Sequence, residues 1–239
     1  MQLFFIRHAQ SANNLLWDQT GANKGRSHDP ELTELGIQQA ACVAAFLRDG
    51  DPLDAMQTLA ALPPKGFGIT HVYSSLMVRA VQTGHAIAER LDLPLIAWPE
   101  THEAGGIYLD DEESGLPIGL AGNPRSFFER RFPRMVLPDW IDENGWWNRD
   151  YEAREERPVR ARRVLAQLLE RHGGSNDRVV LVSHGAFYNY FITAATGLEG
   201  KPNLWLLMNN TGISRISFDE NSTFHYHNRT DHLPRRWIT

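Results

Sequence analysis

A single cysteine among 239 residues, Cys42, excludes an internal disulfide and fits a reducing compartment. Its apolar surroundings, AACVAAFL, place it in core packing. Long hydrophobic runs are missing too: no stretch approaches the roughly 18 apolar residues of a membrane span, so no membrane partner is expected. The opening MQLFFIRHAQ is apolar for only a few residues before Arg7 and His8 interrupt it. It reads as a strand rather than a signal peptide, and a cytoplasmic location is expected. Excess positive charge is absent as well. A formal net charge of −5 excludes general attraction to nucleic acid or an acidic membrane, so any anion site must be local. Lysine is scarce, with only Lys24, Lys65 and Lys201 among 24 basic residues. The cationic chemistry is therefore almost all guanidinium, a planar fork suited to phosphate or carboxylate oxygens, although a genomic base-composition bias gives the same skew.

The 42% hydrophobic and 22% charged residues are ordinary for a globular chain, and the length suits one α/β domain over residues 1–239. Residues 2–6, QLFFI, form a short apolar run that ends in polar RHAQSANN, as a buried parallel strand feeding a helix does. Apolar spacing predicts a helix over 33–48 with Thr33 as N-cap, a short one over 54–62 before Pro63 and Pro64, and another over 76–91. Between and after these, THVYSS and LPLIAW read as strands. A helix over 155–172 breaks at Gly173-Gly174, RVVLVS is a buried strand, and a helix follows His184. The tail gives two β-like runs, TGISRISF and TFHYHN, with a turn at Asp219–Ser222. Alternating strands and helices imply a three-layer, doubly wound, mainly parallel sheet with helices on both faces. Residues 105–150, rich in Gly, Pro, Trp and Arg, break the rhythm and read as an irregular, substrate-reading insertion over the site.

Ligands of open α/β sheets sit at the carboxyl ends of the strands, and two strands here end in histidine, at His8 and His184. Each precedes a predicted helix whose free N–H groups favour an anion. Arg7 and Arg79 approach the same edge, so two imidazoles and two guanidiniums make a pocket for a tetrahedral dianion. His225 and His227 alternate on one strand face, but no third ligand stands at helpful spacing, so no metal and no cofactor are expected. His28, His71, His85, His102, His172 and His232 read as turn, surface or packing residues, and Ser11 and Thr83 as phosphate donors or, equally, cap or core hydroxyls.

Arg7-His8-Ala9-Gln10-Ser11 with Asn14 resembles the signature of the histidine phosphatase, or phosphoglycerate mutase-like, superfamily. The order Gly25-Arg26, Asp29-Pro30, Leu32-Thr33, Gly36, Gln39-Ala40, then Tyr73-Ser74-Ser75 with Arg79-Ala80 and Gln82-Thr83, then Val182-Ser183-His184-Gly185, is similar to that family's as well. Ala9 and Gln10 stand where the family usually has glycine and glutamate. The resemblance implies a phosphatase or phosphohydrolase, termed acid-type, with His8 as nucleophile and Arg7, Asn14, Arg79 and His184 binding phosphate. It also implies an acid that protonates the leaving group. Glu103, followed by Gly105-Gly106, fits that role better than Glu100, which follows Pro99 too closely. The resemblance implies a small phosphorylated molecule as substrate, and a monomer or homodimer is expected. Within the insertion, the glycine and paired tryptophans of Gly145-Trp146-Trp147-Asn148-Arg149 suit a loop tip more than a helix, so Trp147 and Arg149 are expected nearest the substrate. Mutase-type phosphoryl transfer stays open, although Gly21-Ala22-Asn23-Lys24-Gly25 keeps only Asn-Lys of the leucine-asparagine-lysine run of true mutases. A non-catalytic phospho-ligand domain also stays open.

Overall fold

The computed structural model describes residues 1–50, 66–198 and 204–239. The helix expected over 54–62 lies outside them. A seven-stranded sheet runs in the order β6-β3-β2-β7-β1-β8-β9. Its strands are β1 (Gln2–Arg7), β2 (His71–Ser74), β3 (Leu95–Ala97), β6 (Met135–Val136), β7 (Arg178–Ser183), β8 (Ile213–Phe218) and β9 (Ser222–Arg229). The first five pair in parallel, and β8 and β9 close one edge antiparallel. The chain thus adopts the three-layer α/β arrangement expected of it.

Strand alternation explains the layers. Phe4, Ile6, Val180 and Val182 point to one face, where they meet Val43 and Leu47 of α2 (Glu34–Asp49) and Val81 and Ile87 of α3 (Val78–Leu91). Leu3, Phe5, Val179 and Leu181 point to the other, against Val164 and Leu168 of α5 (Glu156–His172) and Phe187 and Phe191 of α6 (Gly185–Thr196). Both faces of β1 and β7 are buried, which is why QLFFIR and RVVLVS read as continuous apolar runs. Thr33 caps α2 by accepting from the Gly36 N–H, and Ser11 caps α1 (Ala12–Thr20) in a capping box with Asn14. Cys42 is only half-buried, on the rim of α2 rather than in its core stripe.

The 105–150 segment is less irregular than its composition suggests. It holds a two-stranded hairpin, β4 (Tyr108–Asp110) with β5 (Pro117–Gly119), the short helix α4 (Arg125–Arg131), and β6, which extends the main sheet. Phe128, Phe132, Ile141, Trp146 and Trp147 join the core on the α2/α3 side. No helix among the described residues is long and apolar enough to cross a membrane.

Candidate active site

Register alone brings the two histidines together. Pairing of β1 with β7 sets Arg7 against Ser183, so His8 and His184 leave the sheet side by side, their ring centroids 5.1 Å apart. Pairing of β2 with β7 sets Ser74 against Val182, which delivers Ser75 and the start of α3 to the same edge. Arg79, in the first turn of α3, directs its Nε at His8 Nε2 over 3.1 Å. A guanidinium only donates, so His8 Nε2 accepts, and the ring proton sits on Nδ1, which donates to the Ala9 carbonyl over 2.7 Å. Burial, then Arg79 and Arg7, push the His8 imidazole well below its ordinary pKa and keep it neutral. His184 is lowered in the same way, by burial first and then by Arg79 and His8. Its Nε2 lies 2.7 Å from the Ser75 hydroxyl, and its buried Nδ1 has no hydrogen-bond partner among the described residues.

The loop carrying His8 is held at three points. Asn210 Nδ2 donates to the His8 carbonyl over 2.8 Å, the Ala9 N–H donates to Thr83 Oγ1, and the Gln10 N–H donates to Gln39 Oε1. Thr83 therefore orients backbone rather than phosphate. The Gln10 side chain accepts from the Thr33 hydroxyl, so at position 10 an amide ties two helix starts together. Asn14 uses its carbonyl oxygen on Ser11 and Asn210. Arg7 is anchored by NH1 on the Met208 carbonyl over 2.6 Å. Burial lowers the pKa of both Arg7 and Arg79; the Glu103 charge counters this at Arg7, and Asp29 and then Glu103 counter it at Arg79. Glu103 also accepts from the Ala186 and Phe187 N–H groups at 3.1 and 2.8 Å, capping the N-terminus of α6 immediately after His184. Glu100, by contrast, pairs with Arg163 and Gln167. Gly105 and Gly106 take φ of +94° and +79°, and a Cβ at Gly106 would overlap the Trp147 ring, so the glycine pair is required where the chain turns away from Glu103.

A match over residues 3–114 and 119–230 to the family model described as histidine phosphatase superfamily (branch 1) decides the lineage. The chain belongs to that family. The term acid-type names a different family and does not carry over to a branch 1 histidine phosphatase. A probable phosphoglycerate mutase GpmB of Yersinia pestis is 26% identical over 220 residues, 92% of this chain and 86% of the relative. Among solved structures, the Entamoeba histolytica phosphoserine phosphatase in complex with 3-phosphoglyceric acid superposes with a TM-score of 0.60 at 22% identity, covering 98% of this chain and 99% of that one. A mycobacterial glucosyl-3-phosphoglycerate phosphatase complexed with VO3 gives 0.58 at 20% identity, covering 96% and 99%. These two likenesses concern the histidine phosphatase fold.

One expectation for the insertion needs correction. Trp147 is not on a loop tip: with 4% exposure it packs against Gly106 and the His102 ring, whose centroid is 4.6 Å away. A glycine followed by paired tryptophans suits a buried wedge as well as a tip, and Gly145, at φ +97°, turns the pair inward. Arg149 lies over Trp147 at 3.9 Å and remains partly exposed, with Glu152 and Arg160 lining the neighbouring cleft. Residues that sequence reasoning did not single out also reach this region. Asp29, buried, accepts from the Val78 N–H and from Asn123, with Oδ1 4.0 Å from Arg79 NH1; burial pushes its carboxyl up to about 6. Arg26 stacks on Tyr108 at 4.3 Å, and both influence Arg79. Ser75, Asp29 and Arg26 fell inside quoted motifs without a role, whereas Asn210 carried no local signal at all. His225 and His227 are held by Ser217 and by Tyr188, Ser214 and the Leu207 carbonyl.

Proposed function

We propose that this protein hydrolyses a small phosphomonoester through a phosphohistidine on His8. The observation that carries this reading is the neutral His8 ring, fixed by Ala9 so that its Nε2 lone pair faces Arg79. Nε2 attacks phosphorus and the ester oxygen departs opposite. Arg7 and Arg79 match the charge on the equatorial oxygens, and Asn14 adds its amide N–H. His184 acts as a neutral donor: Ser75 donates to Nε2, which puts the proton on the buried Nδ1 and gives that group the oxygen it otherwise lacks. The departing alkoxide takes a proton from Glu103, and water then attacks the phosphohistidine with Glu103 accepting its proton. The substrate's remaining part is read by Arg149 and by Arg26 and Tyr108 rather than by Trp147.

Hydrolysis is favoured over mutase transfer because residues 21–25, which would shield the phosphohistidine, form an exposed glycine-rich turn. The relationship to a probable mutase keeps transfer as the second reading. Incubation with phosphorylated metabolites, following inorganic phosphate and isomerised ester together, separates the two. Stoichiometric phosphate supports hydrolysis, and isomerised ester without phosphate rejects it. Glu103→Gln should slow phosphohistidine formation from alkyl phosphates by about 10²–10⁴-fold and from nitrophenyl phosphate far less, because nitrophenolate departs unprotonated.

A further inference from the structure

The opposite edge of the sheet gathers a second set of imidazoles. His71 begins β2, Asp177 immediately precedes β7, and His172 is the last residue of α5. One ring nitrogen from each histidine and one carboxylate oxygen of Asp177 lie within 4.8 Å of one another. We propose that His71, His172 and Asp177 form a structural site for a divalent transition-metal ion of the zinc class, with water completing the coordination.

Three features support a cation there. The ligand types are those of zinc sites, and metal–ligand bonds of about 2.0–2.2 Å set ligand atoms about 3.4 Å apart, so the wider separations must close by roughly 1–1.5 Å and the His172–Asp177 contact must open slightly. His71 and Asp177 can supply that movement, because their side chains are 34% and 29% exposed and open a path from solvent. His172, by contrast, is fixed: it is buried, with Nδ1 2.8 Å from Asp177 Oδ2 and Nε2 3.0 Å from the Tyr73 hydroxyl. A cation takes the place of the proton between Nδ1 and the carboxylate, and the remaining ring proton, on Nε2, donates to the Tyr73 oxygen. That is the outer hydrogen bond that orients a ligating imidazole. Finally, α5 ends at His172, so the negative end of a 17-residue helix faces the group. His172 and Asp177 stand five residues apart, but His71 lies far earlier in the chain, so no short run carries the full set, which is why His71 and His172 read as packing residues in the sequence.

The test uses the full chain without a polyhistidine tag. Cobalt titration should develop visible ligand-field absorption that saturates at one equivalent and is displaced by zinc. His71→Ala and Asp177→Asn should each weaken that equivalent at least tenfold, while His225→Ala retains it. Zinc should raise the melting temperature of the parent protein and leave the His71→Ala and Asp177→Asn melting temperatures unchanged. No saturable equivalent in the parent chain, or one that survives in both variants, overturns the proposal.

Discussion

The two edges of the same strands carry the same kind of residue in opposite electrostatic settings. At the carboxyl edge, His8 and His184 are sealed among Arg7, Arg79 and the N-terminus of α6, so both rings stay neutral and the surroundings attract an anion. At the amino edge, His71 and His172 sit with Asp177 at the C-terminus of α5, and the surroundings attract a cation. An imidazole at a strand end therefore takes its chemistry from neighbouring charges and from which helix end it meets.

The largest break in this contrast comes at the carboxyl edge. His8→Ala should lower turnover by about 10⁴-fold or more with the fold retained by circular dichroism, because no other group supplies the covalent step. Measurable turnover within tenfold of the parent would reject His8 as nucleophile. His184→Ala removes one preorganised donor and should lower kcat by roughly 10²–10³-fold, with Ser75→Ala giving a smaller loss in the same direction. Equal losses at the two positions would mean that Ser75 does more than orient the ring.

The insertion sharpens the comparison by dividing stability from recognition. Trp147→Ala should cost about 3–5 kcal/mol in urea unfolding, the cost of emptying a large buried aromatic site. Arg149→Ala should leave stability nearly unchanged, raise KM for the physiological ester and spare a small aryl phosphate. If Arg149→Ala slows both substrates alike, that arginine serves the phosphoryl site instead.

Acid should affect the two charge settings in a defined direction. A buried histidine with a lowered folded pKa binds its proton more readily when unfolded, so its stability is complete above the unfolded value of about 6.5 and is lost as pH falls towards the folded one. His232, pushed down to about 4, should contribute a loss of about 3 kcal/mol across that interval, and His8 and His184 act in the same sense. Asp29 opposes them, since its folded value of about 6 exceeds the unfolded one and favours folding at acid pH. His102 and His227 are lowered too, and five histidines against one carboxyl give a net decline from pH 7 to 5 in denaturant titrations; a stability maximum near pH 5 would contradict this balance. The smallest effect is on turnover after chelation, which should be nil, because phosphoryl charge is met by guanidinium and any metal at the amino edge is remote from it.

Much of the carboxyl edge was legible because strand ends, helix starts and short motifs coincide in the sequence. QLFFI running into Arg7-His8, and RVVLVS into His184, state both the buried strands and what they deliver. The two strand runs of the tail were legible as well, through their β-like pattern on either side of a turn. The insertion was not: β4, β5 and β6 span two or three residues each, too short for a period, and Trp147 obeys loop and core rules equally. Asn210, which holds the His8 carbonyl from 202 residues away, is visible only in three dimensions.

Rapid acid-free quenching of enzyme mixed with ³²P-labelled substrate, followed by peptide mapping under alkaline conditions, tests the central claim most directly. The account predicts base-stable, acid-labile label on His8, formed and discharged at rates that support turnover and absent from His8→Ala. Label on serine, on His184, or nowhere during full turnover would contradict it.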